Sequence, residues 1–280
     1  MSNLALADVI KGIRDLPSLP IIVVELLNSF EQSDISMGAM ANKVSQDQAL
    51  SAKTLRLANS SFYGLQRKVT TIQQAITVLG FDSVRTLITA AGVIGNFSEQ
   101  KHANFDLTNF WRHAIGTALC AKELARALNL NQDYAFISGL LHDIGVLVLV
   151  SRFPEQYSGV ISYRDMHDCY RIKAEHAVLG LDHAIVGRAL AEHWKFPLLI
   201  QKSIGNHHAL ENQDLGDIPS IIHVADAIFY ALDLDGANNA LVPVIDERAW
   251  KSLNIGSAAM RSVFRETESK FEDACQILVQ

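Results

Sequence analysis

The sequence predicts an all-α protein built as a two-lobed helical bundle with a helical appendage at its C-terminus. Apolar residues recur at the three- and four-residue spacing of an amphipathic helix in long segments along the chain. The alternation of apolar and polar residues that marks strands, together with hairpin turn signals, is absent from the sequence. A hydrophobic content of 49% with 19% charged residues in 280 is typical of a folded globular protein.

The N-terminal lobe is assigned to residues 1–100. Pro20 is suited to the first turn of a helix, and Asp47 is suited to cap another. Gly80 followed by Asp82 indicates a helix stop and then a new N-cap. The predicted helices cover 5–16, 21–31, 36–44, 47–59, 71–79 and 82–94.

The second lobe is assigned to residues 101–235. The polar stretch 98–109 is the predicted junction between the lobes, and helical patterns then run from 110 to 232. A loop at 233–239 leads into a charged, helical C-terminal appendage, assigned to 236–280.

Charge and cysteine content narrow the classes of function. The formal net charge is -6, from 24 basic and 30 acidic residues, and no large basic cluster occurs, which argues against nucleic-acid binding. The apolar stretches are too short to span a bilayer. Charged residues interrupt the N-terminal segment, which argues against a signal peptide. The three cysteines are dispersed and odd in number, which favours a reducing compartment. These features predict a cytoplasmic protein.

Seven acidic or imidazole side chains lie in five separate apolar, helical segments. Each one falls on the side that its neighbours mark as buried. A buried carboxylate or imidazole is costly unless it is paired or binds a metal, so the set calls for a common explanation. Nitrogen and oxygen donors without cysteine suit iron, manganese, zinc or nickel. The candidate ligands are His113, His142, Asp143, His183, His207, His208 and Asp226.

The helical periodicity supports the placement of these side chains on the buried faces of their helices. His183 shares a face with Val186 and Leu190, and Asp226 shares one with Ile222 and Phe229. The pattern through residues 136–147 predicts one helix that carries both His142 and Asp143, about 100° apart around its axis. His223, one turn before Asp226, is a candidate to orient that carboxylate.

The spacing of these residues resembles the HD superfamily of metal-dependent phosphohydrolases, and more closely the HDOD family of bacterial signalling output domains. The resemblance covers about residues 10–232. It is carried by LPSLP at 16–20, SQDQAL at 45–50, LRLANS at 55–60, FYG at 62–64, AITVLG at 75–80, and the block 175–197 with GLDH at 180–183.

The resemblance implies one or two divalent metal ions in a single pocket. His113, His142, Asp143 and Asp226 would hold the first ion. His183, His207 and His208 would hold the second, bridged to the first by Asp143. It also implies a protein partner in a signalling pathway and, as a ligand, a small phosphoester or nucleotide.

Two interpretations remain open. The first is a regulatory module with an HD-type metal pocket; the second is a metal-dependent phosphohydrolase with Asp143 as its catalytic residue. Val146 stands where the related HD-GYP phosphodiesterases carry a lysine, and their Gly-Tyr-Pro loop is replaced by the sequence ALEN at 209–212. Both departures favour the regulatory module, whereas the complete ligand set favours the enzyme.

Overall fold

The computed structural model describes residues 4–31, 37–59, 65–97, 105–208, 217–234, 236 and 241–278. Within these ranges every regular element is a helix, so the predicted all-α class is confirmed. The predicted division into an N-terminal lobe, a second lobe and an appendage stays a prediction, because the buried apolar residues form one continuous cluster through all three segments.

The N-terminal helices follow the predicted ranges closely. The Asp47 carboxylate accepts a hydrogen bond from Leu50 N at 2.9 Å, so the predicted cap is confirmed. Gly80 ends its helix with a φ of +84°, as a helix stop requires. The prediction that Asp82 is an N-cap is wrong, because Asp82 lies inside the next helix and pairs with Arg85 at 2.7 Å. Ser36, the first residue of the predicted helix 36–44, lies outside the described residues. The helices are α1 (Leu6–Arg14), α2 (Ile21–Asn28), a 3-10 turn (Ser29–Glu31), α3 (Met37–Gln46), α4 (Gln48–Ala58), α5 (Ile72–Leu79) and α6 (Phe81–Phe97).

The second set of helices differs from the prediction at one functionally important point. The predicted single helix through 136–147 is two helices, and His142 and Asp143 form the turn between them. The helices are α7 (Leu107–Ala127), α8 (Gln132–Leu141), α9 (Ile144–Arg152), α10 (Pro154–His167), α11 (Arg171–Leu179), α12 (His183–His193), α13 (Leu198–Asn206), α14 (Asp217–Leu232), α15 (Glu247–Leu253) and α16 (Ser257–Leu278).

Helix α7 is central to the packing, since it contacts α8, α14 and α16. The segment 132–152, which comprises α8, the turn and α9, is long and apolar enough to cross a membrane by length and composition alone. Of its most apolar 18-residue window, 94% is buried inside the fold, as expected of a core element.

Helices α9 and α12 approach each other closely where both carry a glycine. A Cβ atom added at Gly145 would lie 2.0 Å from the backbone oxygen of His183 and 2.5 Å from Gly187 N. Only glycine permits this approach, because the neighbouring atoms are backbone atoms. The contact fixes the start of α12 beside the turn that carries Asp143.

Candidate metal centre

Five parts of the chain bring the seven predicted ligands together in one buried region. His113 comes from α7, Asp226 from α14 and His183 from the first residue of α12. The turn between α8 and α9 supplies His142 and Asp143, and the residues directly after α13 supply His207 and His208. The predicted convergence of these side chains is thus present in the structure.

The first group of donors is His113, His142 and Asp226. His113 Nε2 lies 3.0 Å from Asp226 Oδ1, and His142 Nε2 lies 3.7 Å from the same oxygen. All three residues are buried.

The second group is Asp143, His183, His207 and His208. Asp143 Oδ1 lies 3.0 Å from His183 Nε2 and 3.4 Å from His207 Nε2. His183 Nε2 is also 3.3 Å from His207 Nε2 and 3.0 Å from His208 Nε2. The structure therefore places Asp143 with the three later histidines, and Asp143 Oδ1 reaches the first group through His142 Nε2 at 3.5 Å.

The spacings within the second group suit one shared ion. Two donors each about 2.1 Å from an ion, at octahedral or tetrahedral angles, stand about 3.0–3.4 Å apart. The four distances in the second group, between 3.0 and 3.4 Å, match that spacing. The residues present therefore fit a divalent metal ion.

The imidazole rings are held so that their Nε2 atoms face the other candidate ligands. His142 Nδ1 donates to the Gly139 carbonyl oxygen at 2.7 Å, and His207 Nδ1 donates to the Ile204 carbonyl oxygen at 2.7 Å. His183 Nδ1 donates to Glu175 Oε2 at 2.6 Å. With Nδ1 protonated in each ring, Nε2 is the nitrogen left to ligate, as is usual for histidines that bind metals.

The electrostatics of the site favour ionised carboxylates. Burial would raise the pKa of Asp143, but His142, His183 and Arg171 outweigh it and hold that pKa well below its usual range. Burial likewise opposes ionisation of Asp226, and hydrogen bonds from His113 and His142 lower its pKa. Both carboxylates are thus anionic and suited to a cation at neutral pH.

Three further residues belong to this region and were not among the sequence-predicted ligands. Glu175 is fully buried and accepts hydrogen bonds from both His183 N and His183 Nδ1. Arg171 Nη1 donates to Asp143 Oδ2 at 2.6 Å, and Arg164 lines the same cavity. A signal for Glu175 does exist in the sequence, because it lies on the apolar side of α11 with Val178 and Leu179. The two arginines carry no such signal.

His223 has a different role from the predicted one. Its Nδ1 donates to the His207 carbonyl oxygen at 2.7 Å, and its Nε2 accepts from Asp246 N at 2.9 Å. The prediction that His223 orients Asp226 is therefore wrong. His223 instead connects the backbone at His207 to the segment that precedes α15.

A cavity of about 210 Å³ opens beside the candidate ligands. Asp143, His183, His208 and Asp226 contribute to its wall. The remaining lining residues are Arg164, Cys169, Tyr170, Arg171, Ile172, His223, Tyr230, Leu241, Pro243 and Val244. A ligand in this cavity would contact both the candidate metal centre and two guanidinium groups.

Metal affinity is expected to rise with pH between about 6.5 and 8.5. Burial opposes charge on His183, but the carboxylates of Glu175 and Asp143 outweigh it and raise the pKa of His183 to about 10. A metal ion must therefore displace a proton from this ring, so affinity should increase up to about tenfold per pH unit. Titration of chelator-treated protein with Mn²⁺ at three pH values measures the slope, and an affinity independent of pH would contradict the expectation.

Glu175→Gln is expected to weaken metal binding about 10- to 100-fold, the usual effect of losing a carboxylate that orients a ligating histidine. The glutamine keeps the size of the side chain but removes the charge that fixes the His183 ring. Glu192→Gln is the matched control, because Glu192 is an exposed residue of α12 that pairs with Arg188. Equal Mn²⁺ affinities for the two variants would show that Glu175 has no orienting role.

Comparison with known proteins identifies the family of this all-α fold and its histidine–aspartate pocket. The HDOD domain model matches residues 16–210, so the chain belongs to the HDOD family and the predicted resemblance is confirmed.

Solved structures of two bacterial proteins share the fold over nearly their whole lengths. An HDOD domain protein of unknown function from Geobacter sulfurreducens is 23% identical, with a TM-score of 0.78 over 96% of this chain and 99% of that one. A protein from Shewanella amazonensis SB2B, provisionally named a phosphohydrolase, is 27% identical, with a TM-score of 0.78 over 96% and 97% of the two chains.

An uncharacterised protein of Treponema pallidum is 27% identical over 235 residues, which are 82% of this chain and 45% of that protein. This chain thus spans less than half the length of that relative.

Proposed function

We propose that this chain is a cytoplasmic HDOD regulatory protein of a bacterial signalling pathway, whose buried pocket binds a divalent metal ion and which acts on a protein partner. The observation that carries the proposal is the second group of donors. Four side chains from three separate parts of the chain present donor atoms that all lie within 4.8 Å of one another, four of the distances being 3.0–3.4 Å. Membership of the HDOD family supports the signalling role.

Elemental analysis of protein purified without chelator and without a nickel column tests the metal. About one equivalent or more of iron, manganese, zinc or nickel per chain is expected. Protein that holds less than about a tenth of an equivalent, and that takes up none of these ions in a titration, would contradict the proposal. A bound ion would act as a Lewis acid and lower the pKa of a bound water molecule.

The second candidate is a metal-dependent phosphohydrolase, and a specific observation favours it. The sequence offered no cation in place of the missing lysine, but Arg164 and Arg171 line the cavity beside Asp143. Positive groups next to a metal are what a phosphoryl transition state requires. The name of the Shewanella relative also supports this candidate. Here Asp143 would be the catalytic ligand, and the chain's own arginines would bind and orient the phosphate.

The structure changes the significance of Val146. This side chain is fully buried in α9 and does not line the cavity. A lysine at 146 would enter the apolar core and not the pocket, so the valine at this position does not distinguish the regulatory module from the enzyme.

Hydrolysis of cyclic di-GMP is expected to be very weak or absent, even with metal bound. The cavity has a volume of about 210 Å³, whereas pockets that enclose drug-sized ligands have roughly 300–1,000 Å³. A cyclic dinucleotide is at least as large as a drug-sized ligand, so this cavity is too small to enclose it. Metal-loaded protein incubated with cyclic di-GMP provides the measurement, with Asp143→Ala as the control. Turnover near the usual enzymatic range of about 1 per second or more, abolished in the control, would contradict this expectation.

A further inference from the structure

The wall of the cavity beside the candidate metal centre carries a half-buried cation that forms no ion pair with the described residues. Arg164 of α10 lines this cavity, and among the described residues it makes no hydrogen bond or ion pair. A guanidinium is always charged and presents five N–H donors in a planar fork that matches an oxyanion. Such a group at a cavity wall indicates an anionic ligand.

Arg171 adds a second positive charge to the same cavity. Its Nη1 atom donates to Asp143 Oδ2 at 2.6 Å, which uses one of its five N–H groups. The side chain is 24% exposed, so part of it remains accessible from the cavity. Two arginines therefore flank the space next to Asp143.

The N-terminus of α11 provides a third, independent feature. This nine-residue helix begins at Arg171, and Tyr170 at its cap position makes no side-chain capping bond. Tyr170, Arg171 and Ile172 all line the cavity. The first turn of a helix leaves backbone N–H groups without intrahelical partners and carries partial positive charge, which suits phosphate and similar anions.

The rest of the wall is apolar and limits the size of the ligand. Leu241, Pro243 and Val244 from the segment before α15 contribute to it, together with Ile172. The volume of about 210 Å³ accommodates a phosphate group with a small organic part.

We propose that the cavity binds the phosphate of a small phosphomonoester through Arg164, Arg171 and the N-terminus of α11, with the organic group against the 241–244 segment. A monoester is favoured, because its two negative charges meet Arg164, the Arg171 donors that Asp143 does not use, and the positive end of α11, whereas a carboxylate or a phosphodiester carries only one charge. This inference rests on the proposed function, since it places the anion beside the candidate metal centre.

The test measures binding of inorganic phosphate and of phenyl phosphate to chelator-treated protein by calorimetry. Arg164→Gln is expected to weaken both about tenfold or more, as loss of a charge-assisted hydrogen bond does. Arg188→Gln is the matched control, because Arg188 lies on α12, is exposed and pairs with Glu192. No detectable binding of either anion, or equal weakening in both variants, would overturn the proposal.

Phenyl phosphate is expected to bind more tightly than inorganic phosphate because its ring meets the apolar wall. Equal affinities would identify free phosphate as the ligand and overturn the ester part of the proposal. If Arg164→Gln does not fold, Arg164→Lys provides the measurement. Lysine keeps the positive charge but lacks the planar guanidinium, so a loss of phosphate affinity smaller than that of Arg164→Gln is expected. An unchanged phosphate affinity in Arg164→Lys would count against the site.

Metal content, measured separately, distinguishes the two proposals. Protein that binds metal but no phosphate refutes the anion site alone. Protein that binds phosphate but no metal refutes the metal centre alone.

Discussion

Asp143→Asn is expected to abolish stoichiometric metal binding by the second group of donors. The substitution keeps the shape of the side chain but removes the anionic oxygen that lies 3.0 Å from His183 Nε2 and 3.4 Å from His207 Nε2. Without it, three imidazoles face one another with no negative charge to balance a divalent cation. Loss of a residue that only orients a ligand costs about 10- to 100-fold in metal affinity, so loss of a ligand should cost more.

The measurement is metal content together with the shift in melting temperature on adding Mn²⁺ or Zn²⁺, because an ion that binds only the folded state stabilises it. Asp165→Asn is the matched control, since Asp165 is an exposed residue of α10. If Asp143→Asn retained a full equivalent of metal with an unchanged melting shift, Asp143 would not be a ligand.

Gly145→Ala is expected to cause a large loss of stability for the addition of a single methyl group, and to weaken metal binding at the same time. The new Cβ atom would lie 2.0 Å from His183 O and 2.5 Å from Gly187 N, so α9 and α12 would have to separate. Added volume in a packed core lowers the free energy of unfolding by about 1–3 kcal/mol and occasionally more. The loss is expected at the upper end here, because the atoms that the methyl group meets are backbone atoms and cannot rotate away. For a chain of this size, about 3 kcal/mol corresponds to a fall in melting temperature of about 6–12 °C.

The second effect follows from the position of the contact. Gly145 lies two residues after Asp143, and the new Cβ atom would clash with the backbone oxygen of His183. Separation of α9 from α12 would therefore increase the distance between Asp143 and His183, two candidate ligands. Gly38→Ala is the control, because a Cβ there has nothing within 4 Å and lies in α3. Gly38→Ala should leave the free energy of unfolding unchanged or raise it by up to about 1 kcal/mol. Similar melting temperatures for the two variants would show that α9 and α12 tolerate separation.

The ligands were predictable because each interrupts an apolar stripe, which is a local property of the sequence. His183 and Asp226 lie among residues that the structure buries, and both reach the pocket. The break at His142 and Asp143 was not predictable in this way, because the apolar residues of 136–150 continue through it without proline. At this break the Gly139 carbonyl oxygen accepts a hydrogen bond from His142 Nδ1, a side-chain contact that the apolar pattern does not reveal.

The cationic side of the cavity could not be predicted from periodicity at all. Arg164 and Arg171 lie on largely polar helices, where arginine is expected to face solvent. Only the packing of α10 and α11 beside the turn at Asp143 directs them to the cavity. Likewise, the 241–244 segment shows no helical pattern, yet it forms part of the cavity wall.

The ligands of the second group come from three separate parts of the chain between Asp143 and His208, so a single bound ion would crosslink segments that are distant in sequence. Crosslinks of this kind restrict the unfolded chain more strongly as the loops they close become longer. The ion would hold the α8–α9 turn, the start of α12 and the end of α13 in one fixed arrangement, and its loss would release all three parts at once.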